Sequence, residues 1–139
     1  MDAAAVESFI ELFEAGRLPR EHWTHQAHLV AGFWHARRLG MPAALEEIRV
    51  RIRAHNESVG TPNSDDNGYH ETITRLYVTA IADHVARHRQ MPFGQSLQAL
   101  LESPIASRDW PFGYYSRERL LSVAARRGWL PPDLKETIP

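Results

Sequence analysis

The chain contains no cysteine and a single lysine, Lys135. The missing thiols exclude disulfides, cysteine-based zinc sites, iron–sulfur clusters and thiol nucleophiles together. Any metal must then be held by His, Asp, Glu or backbone oxygen. Excess charge of one sign is missing too: 16 basic residues face 17 acidic ones, for a net charge of −1. A general nucleic-acid binder carries a basic surplus, so no nucleic-acid partner is expected. No apolar run approaches the roughly 20 residues of a membrane helix. The start, Met1 to Glu7, is acidic where a secretory signal would be basic. The expected location is the cytoplasm, with no membrane partner. There is no internal repeat, low-complexity tract, glycine-rich phosphate loop or Gly-x-Ser-x-Gly elbow. The 139 residues, 43% hydrophobic and 24% charged, read as one globular domain over 1–139.

What is present is helical periodicity. Val6, Phe9, Ile10 and Phe13 share one face, and Gly16 offers a stop. Thr24 is a good N-cap for a second helix over 25–39 that Gly40 would end. Pro42 suits the first turn of a third helix, over 42–57, with Leu45, Ile48 and Ile52 on one side. Residues 60–68 are too rich in Gly, Pro, Asn and Asp for regular structure. A fourth helix is expected over 69–89 and a fifth over 95–102. Beyond Pro104 the pattern breaks into loops and two short turns, with Ser116 and Ser122 as caps and Gly128 as a stop. Trp110, Tyr114, Tyr115 and Trp129 would pack this tail onto the helices. The expected class is all-α, a four- or five-helix bundle with an irregular C-terminal tail.

The other anomaly is eight histidines. His25 and His28 are three apart on the first turn of helix two, so both imidazoles project from one face. His70-Glu71 opens helix four and looks like half of a zincin helix, with Thr74 where the second histidine would stand. In that motif the glutamate takes a proton from metal-bound water. If helices two and four run in parallel, their starts can meet. His25, His28 and His70 are then the expected metal ligands and Glu71 the catalytic base. His84 and His88 also have ligand spacing, but lie about 21–27 Å further along helix four and cannot join that site. His35 lies about 10 Å beyond His28 and is expected to serve packing or the surface. No Glu-x-x-His pair is present, which speaks against a di-iron site. A mononuclear site with an open position remains. Its ion is a divalent transition metal, zinc or iron first, because imidazole does not choose among these metals. Asn63 and Asp66 of the polar loop, and Arg117 and Arg126 of the arginine-rich tail, are expected to contact substrate; Asp65, Asn67, Arg108, Arg119 and Arg127 belong to the same groups.

The segments Trp23-Thr24-His25-Gln26-Ala27-His28-Leu29, Gly68-Tyr69-His70-Glu71-Thr72-Ile73-Thr74 and Ser116-Arg117-Glu118-Arg119-Leu120-Leu121-Ser122, with Pro132-Asp133-Leu134, span most of the chain. Together they resemble a family of small bacterial proteins marked by Thr-His-x-x-His-Leu and Tyr-His-Glu-Thr-Ile-Thr segments. The resemblance implies a bacterial source and points to the same histidines; it implies no particular activity. The expectation is therefore a small metal-dependent enzyme, hydrolytic or lyase-type, acting on a small polar molecule. A non-catalytic metal- or small-molecule-binding protein and a metal-free helical interaction protein are the alternatives, and a homodimer stays open.

Overall fold

The computed structural model describes residues 2–135. Among them there is no strand, and the class is all-α as the periodicity predicts. Five longer helices form the body: α1 (Ala3–Glu14), α2 (His25–Leu39), α3 (Ala43–Ser58), α4 (Glu71–Arg87) and α5 (Phe93–Leu101). Single 3-10 turns at Pro104–Ala106 and Trp110–Gly113 lead to two one-turn helices, α6 (Arg117–Leu120) and α7 (Val123–Arg127). The caps are mostly those that the sequence offers. Asp2 accepts from the Ala5 N–H at 2.8 Å and Thr24 from the Ala27 N–H at 3.2 Å. Ser116 and Ser122 accept from the Arg119 and Ala125 N–H groups. Each satisfies an N–H that the helix itself leaves open. Among the described residues no helix is long and apolar enough to cross a membrane.

α2 is the central element. It buries Leu29, Val30, Phe33 and Ala36 and packs mainly on α4 and α3. Fully burying a side chain such as Phe33 stabilises by about 1.5–3 kcal/mol. α2 and α4 run in parallel: the His25 ring meets Tyr77 at 5.6 Å between centroids, and Gly32 meets Ile81 further along both helices. A Cβ on Gly32 would lie 3.0 Å from the Ile81 Cδ1, so glycine is what allows this close approach.

A second apolar cluster fastens the tail to α4. Leu76, Tyr114, Tyr115 and Leu120 are buried together, with Trp110, Phe112 and Trp129 against them. Polar ties reinforce it. Thr72 Oγ1 donates to the Gly128 carbonyl at 2.8 Å and accepts from the Leu130 N–H at 3.1 Å, while the Tyr115 hydroxyl donates to the Leu130 carbonyl at 2.6 Å. The tail is thus a fixed wall facing α2 and α4.

Candidate functional site

Between α2, α3, α4 and the tail lies a cavity of about 440 Å³, within the range of about 300–1,000 Å³ usual for small-molecule sites. Its walls are largely apolar, with Leu29, Ile48, Ile73 and Ile81 among them. The polar groups are few and converge: Thr24, His25, His28, Thr74, Tyr77 and Arg108.

The first turn of α2 sets the two imidazoles. Thr24 caps the helix with its side chain, and its carbonyl receives the His28 Nδ1–H at 2.7 Å. His25 reaches the other way and donates Nε2–H to the Ala106 carbonyl at 2.9 Å. A carbonyl only accepts, so in each neutral ring the nitrogen facing it carries the proton. Nδ1 of His25 and Nε2 of His28 are left as acceptors. Trp23 packs against His28, the rings tilted by 33° with centroids 3.9 Å apart, and stacks on Phe13 at 4.6 Å, which backs the His28 ring.

His28 keeps open surface towards the cavity although protein surrounds it, as befits a side chain in a concave wall. Loss of water pushes its pKa down to about 4, against the Thr24 hydrogen bond; the charges of His25, His55 and Arg108 add to the fall. His25 is lowered by desolvation as well, with Arg108 contributing and the Ala106 bond opposing. Both rings are therefore neutral near pH 7. Tyr77 donates its hydroxyl to the Ser107 carbonyl at 2.9 Å, and burial pushes its pKa up to about 12, so it keeps its proton. Arg108 is the only charged residue in this lining, and no carboxylate lines the cavity.

No family model, curated protein or solved structure matches this chain. The site must be read from its own geometry.

His70 does not join His25 and His28. The two helices are parallel, as that convergence required, but they are staggered. His25 lies level with Tyr77, seven residues and about 10 Å beyond His70. His70 serves instead as the N-cap of α4. Its Nδ1 accepts from the Ile73 N–H at 3.1 Å and its Nε2 donates to the Leu120 carbonyl at 2.8 Å, so neither nitrogen is left for an ion. Among the described residues no group of three or more His, Cys, Asp or Glu side chains could hold a metal.

Glu71 is likewise committed elsewhere. Arg49 of α3 clasps both its oxygens at 2.8 and 2.7 Å, and the Tyr69 hydroxyl donates to it at 2.6 Å. These partners outweigh its burial and hold its pKa below the usual carboxylate value. A carboxylate so engaged is a poor proton acceptor, and Glu71 does not line the cavity.

The residues expected to contact substrate in the loop and tail, Asn63, Asp66, Arg117 and Arg126, lie outside the lining of this cavity. Asn63 accepts from the Asn56 amide and the Tyr69 N–H, and its own amide donates to the Arg53 carbonyl. Asp66 is exposed in the same turn. Arg126 donates to the Gly68 and Tyr69 carbonyls, and Arg127 pairs with Asp65 at 2.7 Å. Arg117 lies over the Phe112 ring at 5.0 Å; Phe112 lines the cavity, but Arg117 does not. His84 and His88 line a separate cavity at the C-terminal end of α4, with Asp83, Asp109 and Lys135. His35 is buried and donates to the Ala31 carbonyl, a packing role as expected.

Sequence reasoning found the two histidines that line the cavity and missed Tyr77, Thr74 and the special position of Arg108 within the arginine-rich tail. No spacing rule reveals these, because they meet His25 and His28 only through the register of α4 and the path of the tail.

Proposed function

We propose that this chain binds a small, largely apolar molecule in the cavity, with His25 and His28 addressing a polar group on it as neutral acceptors. The observation behind this reading is the pair of carbonyl-anchored imidazoles that share one apolar-walled cavity. Each ring has a fixed tautomer and one unbonded nitrogen. A neutral imidazole in an apolar wall takes a hydrogen bond, or a proton from a bound ligand, without first losing its own. That makes acid–base chemistry available on a molecule held by apolar contact, with Tyr77 as a neutral neighbour.

A resident zinc would find two imidazoles and no carboxylate. That donor set is one ligand short of the three protein ligands of a catalytic site, so the reading uses no metal. It differs from the expectation of a metal-dependent enzyme in its cofactor and in the apolar character of the ligand, and it agrees in placing His25 and His28 at the centre.

The test is a screen of fragment-sized molecules followed by protein NMR. Ligands should shift the resonances of Thr24, His25, His28 and Tyr77, and His28→Phe, which keeps the ring volume and removes the acceptor, should weaken hits bearing a hydrogen-bond donor by about ten-fold. Hits that cluster away from this cavity, or that bind His28→Phe equally well, would refute it.

A further inference from the structure

The arginines of the tail differ in how they are used. Arg119 donates to the Pro131 carbonyl, Arg126 to two carbonyls of the polar loop and Arg127 to Asp65, while Arg117 covers Phe112. Arg108 is different. Among the described residues no carboxylate lies within ion-pairing reach of it, yet it lines the cavity and its charge acts on His25, His28 and Tyr77.

Its backbone is positioned by the cavity itself. The two residues before it, Ala106 and Ser107, receive the His25 Nε2–H at 2.9 Å and the Tyr77 hydroxyl at 2.9 Å. The chain is thus pinned to both α2 and α4 immediately before the guanidinium. Arg108 is thus an exposed cation at the edge of an apolar cavity with no acid in its walls, and an anion on a ligand would meet no competing carboxylate there.

The geometry points to a hydroxy monocarboxylate with an apolar aryl or alkyl body as the ligand class, its carboxylate on Arg108, its hydroxyl donating to His25 or His28 and its body against the apolar walls. This rests on the cavity being the binding site. A single guanidinium beside uncharged imidazoles balances one negative charge, and its planar fork matches the two oxygens of a carboxylate. A phosphate dianion would need further cations or a cradle of backbone N–H groups, and the lining supplies no second cation.

The experiment compares acids with their neutral isosteres. Mandelate, 3-phenyllactate and 2-hydroxyoctanoate, and the primary amide of each, are titrated into the full chain and followed by NMR at the cavity residues. At least one acid should bind about ten-fold or more tightly than its amide, as expected for gaining a charge-assisted hydrogen bond. Arg108→Gln should abolish the preference. Arg87→Gln, which removes the same charge from a residue paired with Asp83 on the exposed end of α4, should keep it. Equal binding of acid and amide, or a preference that survives Arg108→Gln, overturns the carboxylate assignment while leaving the cavity reading intact. If neither acids nor amides shift any cavity residue, both readings fail.

Discussion

His55 is the residue whose surroundings fit it least. It is 1% exposed, lies between Phe13 and Trp23, and neither ring nitrogen has a hydrogen-bond partner among the described residues. Burying a polar group without a partner costs about 1–3 kcal/mol, so His55→Leu, of similar volume, should stabilise the fold by about 1–2 kcal/mol. The urea midpoint would report this, and a lower midpoint would count against it. Its position behind Trp23 could not be read in advance: in the sequence His55 is a polar residue at the fraying end of a helix. His25 and His28 were legible because their relation is local, three residues on one turn. His70 misled for a related reason. Its neighbour Glu71 and its place at a helix start imitate a metal motif, whereas the ring is used as a cap, a role in which Ser, Thr, Asp and Asn are the usual choices.

Among the elements, the helices were legible wherever a cap and a stop bracket an apolar stripe. α2 runs from Thr24 to Gly40 as those two residues dictate, and α5 starts two residues earlier than the apolar pattern suggests, straight after Pro92. What the pattern does not contain is the stagger between α2 and α4, which brings the bare backbone of Gly32 against the Ile81 side chain, and that stagger decides which residues share the cavity. The tie between α3 and α4 was hidden in the same way, since Arg49 and Glu71 are 22 residues apart in the chain. Glu71→Gln removes the charge that holds this clasp and also weakens the acceptor for Tyr69. It should cost about 1–3 kcal/mol in chemical denaturation while leaving ligand shifts in the cavity as they are in the native chain. Loss of ligand binding in a variant that stays folded would return Glu71 to the site.

For the whole molecule, histidines that lose water on folding, wholly or in part, couple stability to pH. Desolvation lowers the pKa of His25, His28, His55, His70 and His84 below the ordinary value. In the unfolded chain each titrates near 6.5. Below about pH 6.5 the unfolded state therefore binds protons that the folded state refuses, and stability must fall as pH falls. The loss continues for His28 until its folded pKa of about 4 is passed. Above about pH 7.5 both states carry these rings neutral, and the term vanishes. Glu71, with a lowered pKa, adds a loss of the same sign only in more acid solution, below the ordinary carboxylate range. The two windows can thus be separated. Tm should be flat from about pH 8.5 to 7.5 as far as these groups are concerned, and should drop by several degrees by about pH 5, with unfolding there taking up more than about one proton. Calorimetry in buffers of different ionisation enthalpy counts those protons. His55→Leu should reduce the count, because one of the groups is gone, whereas Glu71→Gln should change it by only about 0.2 proton at about pH 5, the onset of the window of that carboxylate. A Tm that holds constant between about pH 7.5 and 5 would mean that the histidines exchange protons freely in the folded state, and the account of His28 as a neutral acceptor would fall with it.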